Sequence, residues 1–211
     1  MLNKIQLRFN QLIEKFRNEG MYNTITKELL FFNKKIIVFE KDLTQFQSVI
    51  QQSDDPNSHY AKFDSNTVLE DYVFPNRSRY LKAVSSIKKG HELFVFIRGN
   101  KIIGDCWFAT YTEASKKDKF HPDVKMLHIN PVLESVYMFD MYIIPEERGK
   151  NITRSILLFA FNNFKARNLS RIYTYVLASN TPAIWMVRTL GFKETNKLNF
   201  HRLVSFRMVT S

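Results

Sequence analysis

The sequence predicts a mixed α/β sheet, and three observations predict it. An apolar strand at residues 135–144 gives way, through a proline and a charged turn, to an amphipathic helix. Two β-rich runs flank Gly99-Asn100, and a strand, a capped helix and a closing hairpin follow residue 170. At 211 residues, 45% hydrophobic and 14% aromatic, the chain is long enough for one full core, with or without a small appendage.

Taken in order, Leu2, Ile5, Phe9, Leu12, Ile13 and Phe16 form one helical stripe that Gly20 ends, and a second helix is expected over Thr24–Phe32. Residues 1–33 are thus expected to form an N-terminal helical extension, and residues 34–211 the main domain. The extension docks on the domain or on a second copy of it, or it lies on a membrane surface as a basic amphipathic anchor. Lys35–Glu40 is β-branched and apolar and reads as a strand. Leu43–Gln51 reads as a helix capped by Asp42 or Thr44, and residues 52–58 as a polar linker or flap. Residues 67–70 and 80–87 look helical, the second ending at Gly90. Glu92–Arg98 and Lys101–Thr112 form the hairpin, and residues 113–134, with Pro122 and Pro131, a long excursion.

The next stretch carries the strongest chemical signal. Val136, Tyr137, Phe139, Met141, Tyr142, Ile143 and Ile144 make a nearly continuous apolar run, as in a strand covered on both faces, and only Asp140 interrupts it. Pro145 ends the strand. Arg148-Gly149-Lys150-Asn151-Ile152-Thr153 then feeds a helix carrying Ile156, Leu157, Phe159, Ala160 and Phe164. Amides left unpaired at a helix N-terminus beside two cations can hold a phosphate or pyrophosphate. Arg171–Leu177 is a strand, Asn180 caps a short helix that Gly191 ends, and Phe192 begins a hairpin whose last strand is His201–Val209.

Composition narrows the partners. A net charge of +11 favours coenzyme A, nucleotide-linked substrates, nucleic acid or an acidic lipid surface. The basic residues are scattered and form no arginine-rich block, which speaks against a specific nucleic-acid module. A single cysteine, Cys106, cannot form an internal disulfide; it suits a reducing cytoplasm and reads as a small buried hydrophobe. The apolar run Ile156–Phe161 is too short to span a bilayer, Lys4, Arg8 and Glu14 break any signal-peptide core, and the five histidines show no metal spacing.

The order strand, proline, Arg-Gly-Lys-x-Ile, helix, followed by Asn180-x-x-Ala183 and Leu190-Gly191-Phe192, resembles the GNAT superfamily of acyl-CoA-dependent N-acyltransferases. Where that family has Gln/Arg-x-x-Gly-x-Gly/Ala, this chain has Arg148 in the first place, and Asn151 and Thr153 at the two small positions. The resemblance implies a mostly antiparallel sheet split by a V-shaped opening, with helices on both faces. It implies acetyl-CoA or another acyl-CoA as co-substrate, held by Arg148, Gly149, Lys150, Asn151, Ile152, Thr153 and Asn180. The backbones of Met141 and Ile143 would meet the pantetheine arm, and an amide of the bulged stretch Met141–Ile143 the oxyanion. The implied reaction is acyl transfer to a primary amine of a small molecule or amino sugar. Transfer from an acyl carrier protein docked on the basic surface, and a fold that only binds, are the alternatives.

Acyl transfer to an amine needs a base, an oxyanion donor and a way for the thiolate to leave. Asp140 is the first candidate base, because burial in an apolar strand raises a carboxyl pKa, and Glu134 is the second. Equally, Asp140 pairs with a buried Arg or Tyr and holds the sheet together. The tyrosine that relatives use as general acid is replaced by Val187, which leaves Tyr142, Tyr173 and Tyr175 as substitutes.

Overall fold

The computed structural model describes residues 32–48, 55–113, 121–203 and 206–210. The two expected N-terminal helices lie outside these residues, apart from Phe32, which opens the first strand. The elements are β1 (Phe32–Asp42), β2 (Ser58–Phe63), α1 (Arg77–Ile87), β3 (Glu92–Arg98), β4 (Lys101–Tyr111), α2 (Asp123–Met126), β5 (Ser135–Ile143), α3 (Ile152–Ala166), β6 (Arg171–Leu177), α4 (Thr181–Thr189), β7 (Lys193–Leu203) and β8 (Phe206–Thr210). Eight strands form one sheet in the order β2-β3-β4-β5-β6-β1-β7-β8. Among the described strands, every ladder is antiparallel except that of β5 with β6.

β1 lies between β6 and β7 in the sheet, and both its faces are packed, Ile37 and Phe39 in one apolar cluster and Ile36 and Val38 in another. Ile36, Ile37, Val38 and Phe39 are all buried, which is why that run is continuously apolar instead of alternating. Gly99, at φ +60°, turns the β3–β4 hairpin as its left-handed preference dictates. Gly104 serves close approach: a Cβ there would lie 2.3 Å from Ile143 Cδ1.

One sheet face packs α3 and α4. Phe94, Phe96, Phe108, Val136 and Met138 meet Ile156, Leu157, Phe161 and Phe164, with Val187 of α4 in the same cluster. Phe161 and Phe164 are fully buried, and burying each is worth about 2–3 kcal/mol. Packing therefore holds α3 in place, which frees its N-terminus from the need for a side-chain cap. The other face packs α1, whose Ala83 lies on Leu93, Val95, Ile97, Ile102 and Trp107. At the C-terminal end of α3, Arg167 donates to both carboxylate oxygens of Glu92, at 2.7 and 2.8 Å.

Several local expectations are revised. Thr44 donates its amide to Asp42 Oδ1 at 2.8 Å, as a cap would, yet residues 43–48 form a turn and no helix; Leu43, fully buried, is drawn back onto the core. Ser58–Phe63 is an edge strand, reached straight out of the polar loop, because β3 supplies its ladder. The helix expected over 67–70 is a 3₁₀ turn, Leu69–Asp71. Asn76 accepts from the Arg79 amide at 2.8 Å and so starts α1 at Arg77, earlier than the apolar pattern showed. His201 belongs to β7, so the closing hairpin turns later than expected.

Candidate active site

The central strand pair comes apart where the sequence places its single carboxylate. β5 and β6 pair in parallel only from Ser135↔Arg171 to Tyr137↔Tyr173. Beyond that, Thr174 Oγ1 donates to the Met138 carbonyl at 3.0 Å, a side chain standing where a ladder amide would. The register of β4 on β5 slips at the same point, with Trp107 opposite Asp140 and Phe108 opposite Met138, so Phe139 is the extra residue of a β-bulge. The bulge thus lies at Phe139, two residues before the expected stretch Met141–Ile143.

What the bulge changes is which groups face the gap. The Ile144 amide donates to Ile103 of β4 at 3.0 Å, and strand alternation then turns the backbones of Met141 and Ile143 away from β4. The Arg148 Nε accordingly reaches the Ile143 carbonyl, at 3.2 Å. A cleft of about 1160 Å³ opens there, lined by β5 residues 141–143, by the turn and first helical residues up to Arg154, and by α4. This exceeds the usual range for small-molecule sites.

The turn is built as an anion cradle. Gly149 (φ +83°) and Asn151 (φ +59°) are both left-handed, which explains how asparagine fills a position where glycine is common. Asn151 makes no side-chain cap bond, and the first intrahelical donor is Ser155, to the Asn151 carbonyl at 3.0 Å. The amides of Ile152, Thr153 and Arg154 precede that bond, at the positive end of the 15-residue helix α3. Arg148 stands exposed beside them. Lys150 does not line the cleft: its ammonium lies 3.2 Å from Glu147, which also accepts from Arg98 at 2.9 Å. The second cation at the cleft is Arg154, which sequence reasoning missed although it sits in the first turn of a recognised helix. On the far wall, Asn180 caps α4 by accepting from the Ala183 amide at 3.2 Å.

The two candidate bases fare differently. Asp140 points to the α1 side, where Arg79 Nη1 donates to it at 2.7 Å and the Lys82 ammonium is in direct contact with it. Burial pushes its pKa up, but Lys82 and then Arg79 outweigh that and hold it below the ordinary carboxylate value. The expectation of a raised pKa is therefore overturned, and the ion-pair alternative is the one observed. No local pattern points to the partners, which lie on α1 some 60 residues earlier. Burial in turn lowers the Lys82 pKa, against the raising effect of Asp140. Arg79 also binds the buried Asp105, its Nε donating at 3.0 Å, and its guanidinium lies 5.2 Å from the centre of the Tyr142 ring. Glu134 sits before the N-terminal end of β5, seven residues from Met141 and so about 20 Å away by strand rise, and does not line the cleft. Tyr142 does line it. Val187 is buried, as is Cys106, whose thiol burial pushes well up.

A split mixed sheet, with an uncapped helix N-terminus opening onto the split, defines an α/β protein whose cleft presents free amides and two arginines, groups that suit an anion. Residues 57–192, more than half of the chain, match the family model described as the acetyltransferase (GNAT) family. The chain belongs to that family, whose members transfer acyl groups from an acyl-CoA.

Solved structures agree on the fold. One is a GCN5-related N-acetyltransferase from Sphaerobacter thermophilus, at 14% identity and TM-score 0.51 over 81% of this chain. A tandem GNAT protein from the clavulanic acid biosynthesis pathway follows, at 12% identity and TM-score 0.52 over 85%. A third is the glucosamine N-acetyltransferase region of a fungal multi-domain β-N-acetylglucosaminidase, at 14% and 0.54 over 87%. The chain spans 52%, 57% and 22% of those proteins, respectively. No curated protein matches it.

Proposed function

We propose that this protein is an N-acyltransferase that moves an acetyl or other acyl group from acyl-CoA to a primary amine of a small molecule or amino sugar. The observation that carries this reading is the uncapped N-terminus of α3, reached through left-handed Gly149 and Asn151 and opening onto the gap between β5 and β6. The residues fit the co-substrate: the amides of residues 152–154 and the Arg148 side chain would hold its pyrophosphate. The outward-facing backbones of Met141 and Ile143 would pair with its amide-bearing arm.

Acyl-CoA, when bound, would supply the activated thioester and leave as the coenzyme A thiol. The chain supplies position and charge. The Met141 amide, released from the sheet by the bulge, is the donor for negative charge developing on the acyl oxygen. Tyr142, in the cleft and covered by the Arg79 guanidinium, is the candidate proton donor to the leaving sulfur. Asp140 is held by two cations and serves as their positioning partner, so the amine enters through its own neutral fraction.

The test is a thermal-shift series with coenzyme A, acetyl-CoA and longer acyl-CoAs, followed by mass detection of acylated amines. Acetyl-CoA at about 100 times its dissociation constant should add about 2.7 kcal/mol of stability. Gly149→Val, forced into a left-handed conformation, should fold but lose the shift. A wild-type protein that no acyl-CoA stabilises would falsify the reading.

A further inference from the structure

The wall facing the anion cradle carries an unexplained side chain. Trp185 is 68% exposed, on a helix whose Val187 and Leu190 are buried. Of the two tryptophans in the chain, Trp107 is 1% exposed. Thr181, Trp185 and Thr189 are spaced four apart, share one face of α4, and all line the cleft. The indole is thus displayed towards the space that the cradle borders, with most of its surface exposed.

A ligand that satisfies both walls needs a phosphate for one and a flat aromatic face for the other. A nucleotide has both. Among acyl donors, coenzyme A carries a nucleotide, whereas the phosphopantetheine arm of an acyl carrier protein does not. We propose that Trp185 is the stacking platform for the adenine ring of coenzyme A, so that this cleft selects a nucleotide-bearing donor over a carrier-protein-bound one. The inference rests on the coenzyme A reading above and adds a residue and a donor preference to it. Stacking of a base on an aromatic side chain is worth enough to decide between the two donors.

The experiment uses the full chain and three probes: coenzyme A, adenosine diphosphate and free phosphopantetheine. Calorimetric titration and tryptophan fluorescence are read on wild type, Trp185→Ala and Trp185→Phe. Coenzyme A and adenosine diphosphate are expected to quench the exposed indole, and phosphopantetheine to leave it unchanged. Trp185→Ala should weaken coenzyme A about 5- to 150-fold. Its affinity for phosphopantetheine should match wild type, and Trp185→Phe should keep coenzyme A within about threefold of wild type because its ring still stacks. Coenzyme A binding that Trp185→Ala leaves intact overturns the stacking role alone, as does an equal loss for coenzyme A and phosphopantetheine. Failure of the wild-type protein to bind coenzyme A at all overturns both this inference and the reading beneath it.

Discussion

Thr174 Oγ1 donates a 3.0 Å hydrogen bond to the Met138 carbonyl, and this bond marks the point where β5 and β6 separate. Thr174 is buried, so the carbonyl has little access to water once the hydroxyl is removed. Thr174→Val keeps the shape and deletes the donor. It should lower stability by about 1–3 kcal/mol, read from denaturant unfolding. If the bond also fixes the width of the gap, acyl-CoA affinity falls with it; an unchanged stability would show that the strands part without this spacer.

Asp140→Asn separates a structural role from a catalytic one. The substitution leaves the Lys82 ammonium without its counter-charge, in a site where the Asp140 side chain is 23% exposed. Stability should drop by about 2–3 kcal/mol, below the full penalty for a broken buried pair because asparagine still accepts a hydrogen bond. Turnover at low temperature should stay within about tenfold of wild type. A hundredfold loss of turnover at unchanged melting temperature would restore Asp140 as the base.

Tyr142→Phe keeps the ring beneath Arg79 and removes only the hydroxyl. With tyrosine as proton donor, kcat should fall by roughly 10²-fold, the low end for general-acid catalysis, since a thiolate leaves readily. KM for acyl-CoA should hardly move. Equal kcat in the two proteins rules out this role.

Acid should destabilise the fold between pH 6.5 and about 4. His91 and His121 lie with ring centroids 5.7 Å apart, and burial holds both near a pKa of about 4, helped by nearby Lys82 and Lys89 and, for His91, by His121. In the unfolded chain they titrate near 6.5. The unfolded state therefore binds more protons within that window, so the stability they contribute is complete above pH 6.5 and is lost as pH falls towards 4. The urea midpoint should decline from pH 7 to 5, and His91→Leu should flatten the decline. A midpoint constant across the window would contradict the buried, neutral state of both rings.

The sequence by itself determined the central strand, the β3–β4 hairpin, α3, β6 and the capped α4, because each is written in local periodicity and turn chemistry. It also determined the cradle turn: Gly149 and Asn151 are the residue types that tolerate positive φ, and α3 follows them directly. Tertiary structure decided the rest. β2 needed β3 to become a strand, and the turn at Asp42–Thr44 never grew a helix because Leu43 was claimed by the core. Asp140 looked like a lone buried carboxylate, since its cations, Arg79 and Lys82, come from a helix about 60 residues away. Lys150 looked free until Glu147 came within 3.2 Å, and the exposure of Trp185 in the cleft followed only from the way α4 packs. A local pattern reports the backbone a segment prefers; the charge state and exposure of a side chain depend on which distant residues the sheet order brings beside it.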